Sequence, residues 1–107
     1  MAQEHMIDRL FTTIQSRKGG DPEKSYVARL HERGLNKIAE KMGEEAIETI
    51  VAAVAKDKTE TVAESADLLF HLMMLWSAKG VTPDEVFAEL ARREGISGIA
   101  EKKARKT

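Results

Sequence analysis

Apolar residues recur at three- and four-residue steps along most of this chain, the period of an α-helix packed on one side. Met6, Ile7, Leu10, Phe11 and Ile14 form one stripe and predict a first helix over residues 3–16. The strongest loop signal follows, at Gly19-Gly20-Asp21-Pro22. Ser25 then offers an N-cap for a short helix through Tyr26, Val27 and Leu30, which Gly34 ends. A long third helix is predicted over residues 35–55, where Leu35, Ile38, Ala39, Met42, Ala46, Ile50 and Val54 repeat. Asp57-Lys58-Thr59 reads as a turn, and a fourth helix runs over residues 60–79 until Gly80 stops it. Thr82-Pro83-Asp84-Glu85 combines an N-cap, a first-position proline and a capping-box glutamate, which predicts a fifth helix to residue 93.

No run of alternating β-branched residues predicts a strand, so the expected class is all-α: four to five helices in a bundle. Residues 1–93 read as the domain and residues 94–107 as a polar, basic tail ordered by a partner or ligand. Over residues 68–76 only His71 is polar, so this helix is apolar nearly all round and needs cover on more than one side. A homodimeric bundle is the simplest source of that cover.

Composition narrows the chemistry. The 107 residues suit one small domain and contain no cysteine, which removes disulfides, thiolate metal sites and thiol nucleophiles together. Seventeen basic residues against eighteen acidic ones leave a net charge of −1, without the basic field that nucleic acid requires. No apolar run nears the ~20 residues that span a bilayer, and the first residues lack a signal-peptide core. The expectation is a cytoplasmic protein with neither a membrane nor a nucleic-acid partner.

The candidate chemistry is carboxylate. Glu44-Glu45-x-x-Glu48 lies on the third helix and Glu64-x-x-Asp67 on the fourth. Residues three or four apart share a helix face, so Glu45 projects with Glu48, and Glu60, Glu64, Asp67 and His71 make one polar line. In a symmetric hairpin Val51 would face Glu64 or Ser65, leaving the two pairs offset by a turn or more unless the helices tilt. Four converging carboxylates repel one another, and a divalent cation relieves that. Oxygen-only ligands favour Mg²⁺ or Mn²⁺ over zinc. A solvated helix face is the plain alternative for Glu44, Glu45 and Glu48. A di-iron centre would need Glu-x-x-His, which occurs nowhere in the chain. His71 reads either as a partner behind the ligands or as a hydrogen-bonded core residue. Lys37 and Lys41 precede Glu45 on the same flank and are phosphate candidates, as are Arg17-Lys18 and the tail's Lys102-Lys103-Ala104-Arg105-Lys106. Simple ion pairing or solvation is the alternative for each.

The carboxylate pattern resembles the motif of the all-α nucleotide pyrophosphohydrolases, the MazG-like superfamily. Within it the chain is similar to the phosphoribosyl-ATP pyrophosphatase family. That likeness rests on Asp21-Pro22-x-x-Ser25-Tyr26, on the run from Asn36 through Glu45, on Ala66-Asp67-Leu68-Leu69-Phe70-His71-Leu72, and on Gly95-Ile96-Ser97-Gly98 followed by Glu101-Lys102. Family members often carry tyrosine where this chain has Phe70. The resemblance implies Mg²⁺-dependent hydrolysis of phosphoribosyl-ATP to phosphoribosyl-AMP and pyrophosphate, the second step of histidine biosynthesis, by a homodimer. It implies Glu45, Glu48, Glu64 and Asp67 as metal ligands and Glu44 as the group that orients or deprotonates water. Lys18, Ser25, Tyr26, Lys37, Lys41, Ser97 and Lys102 are the implied substrate contacts. Two other functions fit the pattern: a relative that clears other nucleoside triphosphates, and a non-catalytic helical dimerisation module.

Overall fold

Helix ends in this protein are set largely by side chains that satisfy the free backbone N–H groups of each first turn. In a computed structural model, which describes residues 5–96 and 98–105, these ends delimit six helices and no strand. They are α1 (Met6–Arg17), α2 (Tyr26–Arg33), α3 (Leu35–Ala55), α4 (Lys58–Lys79), α5 (Pro83–Arg93) and α6 (Gly98–Arg105). The expected start at Gln3, Ser97 and Lys106 lie outside the described residues.

His5 Nδ1 accepts from the Ile7 N–H at 3.1 Å and opens α1, a role its sequence context did not announce. Ser25 caps α2 through the Ala28 N–H at 3.1 Å. Gly34, at φ +99°, ends α2 and begins α3, a backbone region that glycine enters at little cost. The Thr82–Glu85 capping box of α5 is complete in both directions. Two boundaries differ from the sequence pattern. Asp57 caps the Glu60 N–H at 2.9 Å, so α4 begins at Lys58 rather than at residue 60. The segment read as a tail contains α6, whose exposed Ile99, Lys102 and Lys103 give no apolar face to find by periodicity.

The α3–α4 hairpin is the spine, about 32 Å long for helices of 21 and 22 residues. Phe11 and Ile14 of α1, Val27 and Leu30 of α2, Ile38 of α3, and Met73 and Met74 of α4 form one buried cluster, edged by Phe70, Leu75 and Trp76. This core occupies only the end of the hairpin that holds the start of α3 and the finish of α4. It also covers most of residues 68–76, where Leu69 is the only large apolar residue left exposed. The uncovered apolar surface lies elsewhere. Ile47, Ile50, Val51 and Val54 share a face of α3, and Val62 stands exposed on α4, with Val54 82% exposed. Among the described residues, no helix is long and apolar enough to cross a membrane.

Candidate metal centre

Beyond the core, the hairpin gathers carboxylates. Glu45 and Glu48 project from adjacent turns of α3 and Glu64 from α4, and one carboxylate oxygen of each lies within 4.8 Å of the others. The turn-sized offset expected between the pairs is absent. The connection is only Lys56 and Asp57, so the hairpin's centre sits slightly earlier than the sequence pattern placed it, which sets Thr49 rather than Val51 against Glu64. Thr49 Oγ1 locks this register by donating to the Glu45 carbonyl (2.8 Å) and the Glu64 carbonyl (3.1 Å), a three-centre bond between helices.

The electrostatics of the triple are unfavourable by themselves. Burial is the largest cause that raises the Glu64 pKa above the ordinary 4.5, followed by the charges of Glu48, Glu45 and Asp67 and a hydrogen bond with Glu48. Glu45 Oε1 and Glu64 Oε1 are buried and have no hydrogen-bond partner among the described residues. Orphaned acceptors of this kind are costly, and a hard cation with oxygen ligands satisfies both at once. The donor set therefore fits a divalent metal ion.

The other site residues fall into three groups. Some flank the triple. Asp67, one turn beyond Glu64, is exposed and stands outside the 4.8 Å group, though near enough for its charge to act on Glu64. Glu44 is exposed and receives Lys41 Nζ at 3.0 Å, a bond that is the main cause of the raised Lys41 pKa. Lys37 pairs with Glu40 at 3.3 Å. Tyr26 also borders the site. Its pKa is raised chiefly by burial, against the lowering charge of Lys41, while Glu45, Glu44 and Asp67 push it further up. Its hydroxyl lies 2.8 Å from His71 Nε2, and its ring stacks on Phe70.

Ser25 and Lys18 are engaged elsewhere. Ser25 Oγ serves as the α2 cap, and Lys18 Nζ donates to the Ser77 carbonyl at 3.0 Å, about 15 Å further along α4 than Asp67. One chain does not bring Lys18 to the carboxylates. Lys102 is exposed on α6. Sequence reading overlooked Thr49, whose one signal was its position four residues after Glu45, on the carboxylate flank.

An all-α chain that gathers glutamates from a helical hairpin to receive a cation has the architecture of the all-α nucleotide pyrophosphohydrolases. A sequence model of the phosphoribosyl-ATP pyrophosphohydrolase family matches residues 7–94. A phosphoribosyl-ATP pyrophosphatase of Azospirillum brasilense is 58% identical over 102 residues, 95% of this chain and 92% of its own length. That of Paramagnetospirillum magneticum is 59% identical over 106 residues, covering 98% and 97%. That of Novosphingobium aromaticivorans is 58% identical over 105 residues, covering 98% of each. The chain belongs to the phosphoribosyl-ATP pyrophosphohydrolase family.

Proposed function

We propose that this enzyme hydrolyses phosphoribosyl-ATP to phosphoribosyl-AMP and pyrophosphate, the second step of histidine biosynthesis, in the cytoplasm and with Mg²⁺. The observation that carries this reading is the Glu45–Glu48–Glu64 triple with two buried, unpartnered oxygens, in a chain of this family. Glu45, Glu48 and Glu64 would hold the cation, with Asp67 as a fourth ligand from the next turn of α4, and Mn²⁺ suits the same oxygens. When bound, the ion supplies charge neutralisation and polarises the triphosphate oxygens. Glu44 orients or deprotonates the attacking water, whose oxygen bonds to phosphorus as the bond between the α and β phosphates breaks and pyrophosphate leaves. Lys41, whose ammonium form is favoured by Glu44, and Lys37 offset the charge on the departing pyrophosphate. Tyr26, Ser97 and Lys102 complete the substrate contacts, with Ser25 contributing only the hydroxyl proton that its cap bond to Ala28 leaves unused. Residues 1–93 form the catalytic unit and residues 94–107 a substrate-contacting tail.

The working unit is a homodimer. Its support is the exposed apolar stripe of α3 and a radius of gyration of 16.0 Å, against about 13 Å for a compact globule of this length. A dimer is also the setting in which Lys18 would meet carboxylates that its own chain holds at a distance. The near-neutral charge supports a small-molecule substrate rather than nucleic acid.

Pyrophosphate release from purified protein tests the proposal. Phosphoribosyl-ATP with Mg²⁺ is expected to turn over far faster than any ordinary nucleoside triphosphate, and excess EDTA to abolish release. Preference for another triphosphate would move the chain's activity to a related reaction, and no release from any would leave a non-catalytic helical module.

A further inference from the structure

His71 is an anomaly on α4, a polar ring only 6% exposed among apolar neighbours. Both its nitrogens are engaged: Nδ1 lies 2.8 Å from the Asp67 carbonyl and Nε2 lies 2.8 Å from the Tyr26 hydroxyl. A carbonyl can only accept, so Nδ1 carries the proton. In a neutral imidazole the other nitrogen then has only a lone pair to offer. The Tyr26 hydroxyl must therefore donate to Nε2. The Tyr26 and Phe70 rings both stand nearly perpendicular to the imidazole, with centroids 5.6 Å and 5.3 Å from it.

The consequence falls on Tyr26. It is the first residue of α2, 41% exposed, and lies within the fields of Lys41, Glu45, Glu44 and Asp67. With its proton committed to His71, the phenol oxygen has only lone pairs left, so it cannot donate to a phosphate oxygen. We propose that His71 is a positioning residue that fixes Tyr26 as a hydrogen-bond acceptor beside the carboxylate cluster, where it receives a donor of the bound substrate complex. Two donors have this chemistry: a ribose hydroxyl of the nucleotide, and a water molecule held by the cation. The inference rests on the reading of the cluster as the metal-dependent site, and it gives Tyr26 a recognition sense that the family resemblance leaves open.

The test is a double-mutant cycle in the full-length protein, with all variants assayed at one pH. Tyr26→Phe is expected to lower kcat/KM by about two- to tenfold, the cost of one neutral hydrogen bond. His71→Phe should lower it similarly, and the double variant no further than either alone. A purely structural His71 would instead lower the melting temperature and show costs that add to those of Tyr26→Phe. If His71→Phe fails to fold, His71→Asn replaces it, since its amide can still donate to the Asp67 carbonyl while losing Tyr26. A raised half-saturating Mg²⁺ concentration in Tyr26→Phe, seen in Mg²⁺-dependent melting, identifies the metal-bound water. A raised KM with unchanged Mg²⁺ dependence identifies the ribose hydroxyl.

Nitrogen-15 NMR supplies a readout independent of turnover. The His71 proton is expected on Nδ1, and Tyr26→Phe should shift the Nε2 resonance. A proton on Nε2, additive costs in the cycle, or a Tyr26→Phe variant unchanged in both kinetics and Mg²⁺ dependence would overturn the inference. If the parent releases no pyrophosphate from phosphoribosyl-ATP, the proposed function fails, while the spectrum and the Mg²⁺-dependent melting still decide the role of His71.

Discussion

Glu64 is where folding and function oppose each other most directly. Its pKa lies above the ordinary 4.5, so the native state holds this proton more tightly than the unfolded chain does. The contribution of Glu64 to stability is thus fully present below about pH 4.5 and is lost as pH rises through the raised native value. Above that native value, without metal, the ionised group works against the fold. Glu64→Gln keeps the shape and removes the charge. In EDTA at pH 7 the variant should melt no lower than the parent, and its melting temperature should fall less between pH 5 and pH 8. With Mg²⁺ the parent should gain stability and the variant should not, because binding to the native state raises apparent stability. Turnover should drop by about a hundredfold or more, as when one electrostatic stabiliser is removed elsewhere. A variant that melts well below the parent in EDTA yet keeps its turnover would show Glu64 to be structural. Three-residue steps made Glu45 and Glu48 legible as one flank of α3, but the same pattern set Glu64 a turn away, and its convergence with them depended on a hairpin register that spacing does not fix. Asp67, whose shorter side chain begins a turn beyond Glu64, lies outside the triple, and its metal role came from the family resemblance rather than from spacing.

The α3–α4 hairpin turns that spacing into a site, and Thr49 is its fastener. Thr49→Val keeps the branched shape and deletes the hydroxyl that joins the Glu45 and Glu64 carbonyls. The expected loss is about 0.5–1.5 kcal/mol in chemical denaturation, the net value of one hydrogen bond. Mg²⁺ affinity should weaken as well, since the register of Glu64 against Glu45 is no longer pinned. An unchanged Mg²⁺ dependence of melting would mean the register is held by packing instead. At this scale most of the chain was readable, because caps and stops are local chemistry. Ser25, Gly34, Thr82 and Glu85 set their boundaries as the pattern indicated. Asp57 was harder, since an aspartate suits a turn and an N-cap equally, and its choice of the Glu60 N–H lengthened α4 by two residues. The α6 helix was missed because a short segment of lysines with one isoleucine shows no face to bury.

For the whole molecule, the unanswered demand is apolar cover. The pattern over residues 68–76 demands it, and α1, α2 and α3 of the same chain provide most of it there. Which face a short helix will cover is a tertiary outcome, and hydrophobicity along one helix does not reveal it. The demand passes to Ile47, Ile50, Val51 and Val54 on α3. Val54→Glu puts a charge at the most exposed position of this stripe, where burial against a second copy would be costly. Sedimentation at micromolar concentration should show a dimer for the parent and a monomer for the variant. An unchanged dimer would place the interface on another surface, and a monomeric parent would remove it altogether.

The core and the carboxylates occupy opposite halves of the same hairpin. The half that holds the ligands has a two-residue connection, one threonine bond and no share in the main apolar cluster, so its backbone is expected to open more readily than the other half of the hairpin. A cation joining Glu45 and Glu48 to Glu64 would act there as a cross-strap between two helices. Amide hydrogen exchange should therefore slow with Mg²⁺ along the second half of α3 and the first half of α4, while the amides around Ile38 and Met74 exchange as before. Slowing spread evenly over both halves would show instead that the ion stabilises the fold as one unit. Localised slowing would mean that the charges the chemistry requires keep one end of the hairpin loose until the ion fastens it.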